Sequence, residues 1–317
     1  MRLPQLPSNL VSQKHLTKRL QAWWADYYFG PEAEIDDEPE EGSPQEEFGA
    51  ITDGRKAAAW SDPRLQVSEE IWSQGFLSPG GDDEVASLIR PLALDLSMMI
   101  VDFGAGLGGT TRALHNRTGA WVSGFESSPL IAEAGAELSY LAGLQRKASI
   151  EAFELQDLSL RESGFNAVFS KEALFTLEDK ETAFQRLYEC LRVEGQMLIT
   201  DYLATKPDAE TEAIGKWLDS EPVRPHLWSL EKTRNFISDL GSEVKITEDV
   251  TPAIRKQILA AISAFTEKIQ QKSKKAPGWG PAVIAEIEMW ANRVKVLDSG
   301  DVAVFRIYGR KFDPSLK

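Results

Sequence analysis

The sequence predicts an α/β fold, in which a doubly wound, Rossmann-like, mostly parallel sheet has an antiparallel last strand and helical cap elements lie at both ends of the chain. Strand and helix patterns alternate from residue 98 to about 204, and a glycine-rich turn follows the first of these strands. Repeated βα units of this kind form parallel sheets. The 317 residues correspond to one large domain with additions, and 42% apolar residues can fill its core.

An acidic tract, PEAEIDDEPEEGSPQEE at 31–47, accounts for most of the formal charge of −14. It holds nine acids and no base, which leaves −5 for the rest of the chain. A segment so poor in apolar groups buries too little surface to offset the entropy lost on ordering. We therefore expect an N-terminal helical arm at 1–30, a mobile acidic loop at 31–60, a ligand-binding core at 61–205, and a cap with late helices and closing strands at 206–317.

The composition disfavours several kinds of partner and site. No basic stripe indicates nucleic acid binding, and no apolar stretch approaches the roughly 18 residues of a membrane span or the h-region of a signal peptide. We therefore expect a soluble, cytoplasmic protein with a small-molecule partner, of undetermined oligomeric state. Cys190 is the only cysteine, so no intramolecular disulfide forms, and three scattered histidines predict no metal site.

The first half of the core opens with a Pro-Gly-Gly turn and a helix, which lead into the strand MMIVDFG. The helix TTRALHNRTG is closed by Gly119, and the strand AWVSGFE follows. Ser127 or Ser128 can cap the next helix, and Gly143 is suited to its end.

The second half continues with strands around SIEAFEL and FNAVFS, the helix EDKETAFQRLYECL and the strand QMLITDYL. SLEKTRNFISDLG then predicts a helix, EVKITEDV a strand, and residues 253–297 further helices. We interpret DVAVFRIYGRKF as an edge strand beside EVKITEDV. The connection between these two strands is too long for a hairpin loop, so we expect its helices to form a cap over one end of the sheet.

The glycine turn fits two cofactors. Gly104, Gly106 and Gly109 satisfy the G-x-G-x-x-G of dinucleotide sites, whereas Gly104, Gly106 and Gly108 satisfy the G-x-G-x-G of methyl-donor sites. About 100 residues precede this strand, although dinucleotide folds commonly begin with it. Asp102 also favours a methyl donor, because a carboxylate beneath the turn needs a cationic or amide partner and a methionyl ammonium is one.

Two later acids suit the same ligand. Glu126 ends the second strand, where one carboxylate can accept hydrogen bonds from two ribose hydroxyls. Asp157 follows the third strand, where its oxygen could accept the adenine amino group while Leu158 covers the ring. Together these features favour a methyl donor over a dinucleotide.

VDFGAGLGG, GFESS, LQDLSL and FNAVFSKEALFTLED resemble the motifs of class I S-adenosylmethionine-dependent methyltransferases, over roughly residues 72–205 and the final strand. WSQGFLSPGG is similar to the segment that closes over the donor in phosphoethanolamine and glycine/sarcosine-type N-methyltransferases. The resemblance implies S-adenosyl-L-methionine as cofactor and S-adenosyl-L-homocysteine as product. It implies these cofactor-binding residues: Ser78, Asp102, Gly104, Ala105, Gly106, Glu126, Ser127, Asp157, Leu158 and Ser170.

The acceptor side is predicted from fewer signals. Many metabolite methyltransferases carry a histidine where this chain has Thr176, a departure that weakens the case for a general base there. The candidates for residues near the transferred methyl are Lys171, Glu172, Tyr202 and His226. Aromatic residues could form a cage for a cationic amine, although such residues also serve packing. The candidates for substrate binding are Tyr27, Tyr28, Trp72, Trp217 and Trp228.

The leading hypothesis is an enzyme that transfers a methyl group to a nitrogen or oxygen nucleophile of a small molecule by in-line displacement. A neutral amine needs no strong base before attack, so the absence of a well-placed histidine favours a nitrogen acceptor or a pre-ionised oxygen. Two alternatives stay open. One is a regulatory or scaffolding protein that binds the donor without turnover, and the other is an NAD(P)-dependent oxidoreductase.

Overall fold

The computed structural model describes residues 62–206, 211–269 and 278–312. The expected N-terminal arm and acidic loop, with Tyr27 and Tyr28, lie outside the described residues. The helices are α1 Pro63–Trp72, α2 Gly81–Leu88, α3 Gly109–Thr118, α4 Pro129–Leu141, α5 Lys180–Cys190, α6 Glu212–Ser220, α7 Leu230–Asp239, α8 Thr251–Ile269 and α9 Trp279–Ser299. The strands are β1 Met99–Phe103, β2 Trp121–Glu126, β3 Ala148–Ala152, β4 Phe165–Lys171, β5 Leu191–Ala204, β6 Ser242–Asp249 and β7 Val302–Lys311.

The seven strands form one sheet in the order β3-β2-β1-β4-β5-β7-β6. Strands β1 to β5 pair in parallel, and β7 is antiparallel to both of its neighbours. The predicted fold class is therefore confirmed. The prediction of DVAVFRIYGRKF as an edge strand is wrong, because β7 lies between β5 and β6. The edge strand on this side of the sheet is β6, whose side chains are mostly exposed and include several charges, as is typical of a sheet edge.

The helix ends follow local sequence signals. The hydroxyl of Ser128 accepts the Ile131 amide and caps α4, which settles the choice between Ser127 and Ser128. Gly119 ends α3 in the left-handed conformation, with φ of 75°, and Gly143 follows α4 with φ of 71°. Such a conformation strains a residue with a Cβ, so glycine is favoured at both ends.

The helices between β6 and β7 pack over the site end of the sheet. Helix α9 contacts α1 and α6, and α8 contacts α1 as well. These helices share one buried cluster with Phe175 and Tyr202, which lie at the ends of β4 and β5. The sequence predicted helices here but not α1, which supplies one wall of the site. Within the described residues, no helix is both long and apolar enough to cross a membrane.

Candidate functional site

A cavity of about 400 Å³ opens at the carboxyl ends of β1, β2 and β4, beneath α1 and α9. This is the end of a parallel sheet at which α/β folds bind ligands, and the volume is in the range of small-molecule sites. The wall includes Arg64, Ser78, Gly104, Ala105, Gly106, Glu126, Ser127, Phe153, Lys171, Glu172, Phe175, Glu221, Glu286, Trp290 and Arg293.

The glycine turn forms the floor of the cavity. Gly104 has φ of 80°, and a Cβ added there would lie 2.0 Å from the Cβ of Ala173, in the segment after β4. Gly106 has φ of 55°, and the nearest atom to its added Cβ is Leu77 Cδ1 at 3.4 Å. Both residues line the cavity. Glycine at 104 therefore lets the turn pack closely on the next loop, and glycine at 106 leaves backbone open to a ligand.

Glu126 lies at the end of β2 and joins the turn to α4. Its Oε2 accepts the Gly106 amide at 2.9 Å, and its Oε1 accepts the Ser128 amide at 2.9 Å and the Ser127 hydroxyl at 3.3 Å. The carboxylate also lines the cavity. Because a carboxylate oxygen can accept more than one hydrogen bond, Glu126 is oriented by the backbone and retains acceptor capacity for a ligand.

Asp102 lies beneath the turn and not on the cavity wall. The side chain is buried, and its Oδ2 accepts the Thr111 hydroxyl at 2.7 Å. Burial raises the pKa of Asp102 to about 7, the Glu126 carboxylate adds to this, and the Thr111 hydrogen bond opposes it. The chain itself thus supplies a hydrogen-bond partner for the acid that the sequence singled out.

Lys171, at the end of β4, ties the segment before α2 to the sheet. Its Nζ donates to Ser78 Oγ at 2.8 Å, to the Pro79 carbonyl at 2.9 Å and to Glu172 Oε1 at 2.9 Å, and lies 3.3 Å from Glu84 Oε2. Burial lowers the pKa of Lys171, but the Glu172 and Glu84 carboxylates outweigh it, so the pKa lies above its usual value. Lys171 is therefore a cation that holds the wall, not a general base.

Glu172 and Tyr202 form the far side of this network. The Tyr202 hydroxyl donates to Glu172 Oε2 at 3.3 Å, and Arg293 Nη1 lies 4.0 Å from the same oxygen. Burial raises the pKa of Tyr202 well above its usual value, and Glu172 raises it further. Tyr202 therefore stays protonated at neutral pH and cannot act as a base.

Arg293, on α9, lines the cavity and holds a second network of contacts. Its Nε and Nη2 donate to the two oxygens of Glu221 at 2.5 and 2.7 Å. The guanidinium lies 4.3 Å from the ring centroid of Trp290, and Glu221 also accepts the indole N–H of Trp217 at 2.6 Å. Burial acts to lower the pKa of Arg293, but Glu221 raises it above its usual value.

A second ion pair joins α1 to α9. Arg64 Nε donates to Glu286 Oε2 at 2.9 Å, while Glu286 Oε1 accepts the Ser68 hydroxyl at 3.1 Å and the Trp290 indole N–H at 2.9 Å. The Glu286 side chain is only 3% exposed. The wall thus holds aromatic rings and carboxylates that are already hydrogen-bonded within the chain.

The structure brings eight of the predicted site residues to this cavity. They are Ser78, Gly104, Ala105, Gly106, Glu126, Ser127, Lys171 and Glu172. Other predicted residues do not line it. They are Trp72, Asp102, Asp157, Leu158, Ser170, Tyr202, Trp217, His226 and Trp228.

The residues outside the cavity wall have other contacts. Ser170 donates to the Phe103 carbonyl at 2.9 Å, and Trp228 stacks on Phe184 with ring centroids 5.7 Å apart. Asp157 is exposed and Leu158 is buried in the core. The backbone amide of His226 donates to the Phe175 carbonyl at 2.7 Å.

Trp72 and Trp217, both buried, support the wall from behind. Trp217 stacks on Phe175 with centroids 6.0 Å apart, and Trp72 meets Trp290 edge-on at 4.5 Å. These contacts put Trp72 and Trp217 one layer behind Phe175 and Trp290, which the sequence did not single out.

Several wall residues were not predicted from sequence. Phe153 directly follows β3, so the rule that ligands bind at strand carboxyl ends could have found it. No local motif marks the others, because they meet only when α1, α6 and α9 pack together. They are Arg64, Glu221, Glu286, Trp290 and Arg293.

Residues 101–199 match the family model described as Methyltransferase domain. The chain is 28% identical over 151 residues to a phosphoethanolamine N-methyltransferase of Plasmodium falciparum (isolate 3D7). The matched segment covers 47% of this chain and 56% of that relative. The matches span about half the length of these curated relatives, 56% of the Plasmodium falciparum protein and 40% of an Arabidopsis thaliana phosphoethanolamine N-methyltransferase.

Two solved structures have the same fold. The Haemonchus contortus phosphoethanolamine N-methyltransferase 2 in complex with phosphomonomethylethanolamine and S-adenosylhomocysteine superposes with a TM-score of 0.68 at 19% identity, over 80% of this chain and 58% of that chain. A putative sarcosine dimethylglycine methyltransferase from Galdieria sulphuraria superposes with a TM-score of 0.66 at 18% identity, over 80% of this chain and 99% of that chain. These comparisons favour the methyl-donor interpretation of the glycine turn over the dinucleotide one.

Proposed function

We propose that this chain, a class I S-adenosylmethionine-dependent methyltransferase by its domain and fold, transfers a methyl group from S-adenosyl-L-methionine to a small amine by in-line displacement. The observation that carries the proposal is a single cavity that joins the glycine turn and Glu126 to a wall of aromatic rings and carboxylates. The cofactor, when bound, supplies an electrophilic methyl group on a positively charged sulfur.

The residues on the donor side suit this cofactor. Gly104 and Gly106 expose backbone where a side chain would project, and Glu126 is held by two amides with acceptor capacity to spare for ribose hydroxyls. Phe153 lines the cavity just beyond β3 and packs 5.0 Å from the ring centroid of Phe103. We propose that Phe153 provides the apolar surface for the adenine ring.

Lys171 and its partners would exclude water from the transfer. By donating to Ser78 and the Pro79 carbonyl, Lys171 fixes the segment that passes over the donor side. Alignment of donor and acceptor in a closed site is the main contribution that a protein makes to such a displacement.

The acceptor is proposed to be a nitrogen. Lys171 and Tyr202 are held protonated, and Thr176 lies on the cavity wall where a histidine would be needed. An oxygen acceptor would require a base to remove its proton in the site, whereas an amine attacks through its lone pair once its ammonium form has released a proton to water or to a carboxylate. The residues near the methyl therefore position the acceptor and shield it from water.

Calorimetric titration with S-adenosyl-L-homocysteine tests the donor half of the proposal. Wild type should bind it, and Glu126→Ala should weaken binding by about 10- to 100-fold, because hydrogen bonds to a charged group contribute about 1.5–3 kcal/mol. Glu248→Ala is the matched control, since it removes an exposed carboxylate on β6, away from the cavity. Absence of binding to wild type, or binding of NADH instead, would contradict the proposal.

Transfer of radiolabelled methyl from S-adenosyl-L-methionine to a panel of small amines and phenols tests the second half. Methylation of amines alone is the expected result. Tight S-adenosyl-L-homocysteine binding with no methylated product would favour a donor-binding protein without turnover.

A further inference from the structure

Every cation on the described part of the cavity wall is already bound by a carboxylate. Arg293 uses its Nε and Nη2 in a two-point contact with Glu221, whose side chain is 2% exposed. Such a bidentate pair is a strong form of ion pair and leaves little of the guanidinium charge for a ligand. Only Nη1 points elsewhere, and it lies 4.0 Å from Glu172.

The other two cations also contact carboxylates, each through a single nitrogen. The three hydrogens of the Lys171 ammonium correspond to its three acceptors, Ser78, Pro79 and Glu172. Arg64 donates its Nε to Glu286, which Trp290 and Ser68 also hold in place. Removing the carboxylate partner of Arg293 or Lys171 would leave a buried charge uncompensated, whereas Arg64 is 35% exposed.

The wall also carries more acids than bases. The described cations are Arg64, Lys171 and Arg293, and the described acids are Asp62, Glu126, Glu172, Glu221 and Glu286. A phosphate dianion or a carboxylate in this cavity would therefore meet a net negative wall. It could reach Arg293 or Lys171 only by displacing a buried carboxylate, and at Arg64 it would lie beside Glu286, which already accepts from that guanidinium. Like charges brought together in this way cost binding free energy.

The uncharged part of the wall combines apolar side chains with a few hydroxyl groups, such as those of Ser68 and Thr176. Phe76, Phe175, Val223, Met289 and Trp290 line the same cavity. Burial of an apolar group against such a surface is favourable, and aromatic faces attract cations.

We infer that the acceptor is an amine with an apolar body and without a phosphate or carboxylate group, and that the Glu221–Arg293 and Glu286–Arg64 pairs exclude anionic acceptors. This inference rests on the proposed function and narrows its substrate class. It separates the chain from relatives that are named for a phosphorylated amine.

Binding of three probes tests the inference without depending on turnover. Ethanolamine and phosphoethanolamine differ only in the phosphate, and phenethylamine adds an apolar body. Each is titrated into the protein with and without saturating S-adenosyl-L-homocysteine. We expect phenethylamine to bind best, and phosphoethanolamine to bind at least about tenfold more weakly than phenethylamine and more weakly than ethanolamine.

Glu221→Gln keeps the shape of the side chain and removes its charge. It should raise the affinity for phosphoethanolamine relative to ethanolamine by about tenfold, because Arg293 then lacks its carboxylate. Glu286→Gln repeats the test at Arg64, and Glu248→Gln, which neutralises the exposed partner of Arg306, should leave the ratio unchanged.

Tighter binding of phosphoethanolamine than of ethanolamine to wild type would overturn the inference, whatever affinities the variants have. Failure of phenethylamine to bind would overturn it too. Failure of S-adenosyl-L-homocysteine to bind is a separate result that contradicts the proposed function, while the ranking of amines is still measured on the unliganded protein.

Discussion

The two sides of the cavity are built differently. On the donor side, Gly104, Gly106, Glu126 and Ser128 lie within 25 residues of one another, and their contacts are mostly to backbone amides. On the acceptor side, Arg64 and Glu286 are 222 residues apart in sequence, and Glu221 and Arg293 are 72 apart. One side is a local motif, and the other exists only when distant helices meet.

This difference shows which parts of the chain set cofactor binding and which set the charge of the wall. Backbone amides and glycines can hold the same cofactor whatever surrounds them, so the donor side needs a fixed short pattern. Ion pairs between α1, α6 and α9 set the charge of the acceptor wall, and they also hold the helices together. We therefore expect changes on the acceptor side to affect stability most and those on the donor side to affect cofactor binding most.

The largest expected effect is that of Glu221→Ala. It leaves the buried Arg293 without its partner, which should lower the free energy of unfolding by about 3–5 kcal/mol. Urea denaturation measures this, and Glu248→Ala, at an exposed pair, should cost less than about 1 kcal/mol. If the two sides are independent, the folded fraction of Glu221→Ala binds S-adenosyl-L-homocysteine with the affinity of wild type. Weaker binding by the folded fraction would contradict that independence.

Part of the pH dependence of stability should come from Asp102, beneath the glycine turn. The pKa of Asp102 is about 7 in the folded state against 3.8 ordinarily, because burial penalises the ionised form. Its contribution to stability is therefore fully present below about pH 4 and is lost as the pH rises to about 7, at up to about 1.4 kcal/mol per pH unit. Denaturation between pH 4 and 8 should show that the free energy of unfolding falls less with pH in Asp102→Asn than in wild type.

Asp201 should make a separate contribution to the same pH dependence. Burial also raises the pKa of Asp201 to about 7, so Asp201→Asn should remove a separate part of the same slope. An unchanged slope in Asp102→Asn would show that Asp102 has no raised pKa.

A smaller effect is expected at the close approach of the glycine turn. Gly104→Ala combines positive φ with a clash against Ala173, whereas Gly143→Ala has positive φ with nothing within 4 Å of the added Cβ. Strain alone costs about 1–2 kcal/mol, and Gly104→Ala should cost about 1 kcal/mol or more beyond that. Thermal unfolding measures the stability of both variants. The double variant Gly104→Ala/Ala173→Gly should regain the stability that Gly104→Ala loses beyond Gly143→Ala. An equal loss of stability in Gly104→Ala and Gly143→Ala would mean that the contact with Ala173 is unimportant.

The smallest expected effect is that of Ser78→Ala, which removes one acceptor from Lys171. A single hydrogen bond contributes about 0.5–1.5 kcal/mol, so S-adenosyl-L-homocysteine binding should weaken less than about tenfold with little change in stability. Calorimetry measures the affinity. A loss as large as that of Glu126→Ala would mean that the segment held by Lys171 matters as much for S-adenosyl-L-homocysteine binding as the Glu126 carboxylate does.

The sequence by itself determined the alternating βα order, the glycine turn, Glu126, and the helix ends at Gly119 and Gly143. These features depend on residues close in the chain, where spacing and backbone conformation decide the outcome. It misjudged β7, because the pattern of a strand shows which faces are buried but not which neighbours it pairs with.

Only the tertiary structure decided the acceptor wall. Trp217 and Trp72 looked like ligand-binding aromatics, but packing puts them behind Phe175 and Trp290, and the pairs Glu221–Arg293 and Glu286–Arg64 join helices that no local pattern connects. The physical reason is that the charge left available on a side chain depends on its partner in space. A residue's type is read from the sequence, but whether its charge is already neutralised is set when distant helices pack.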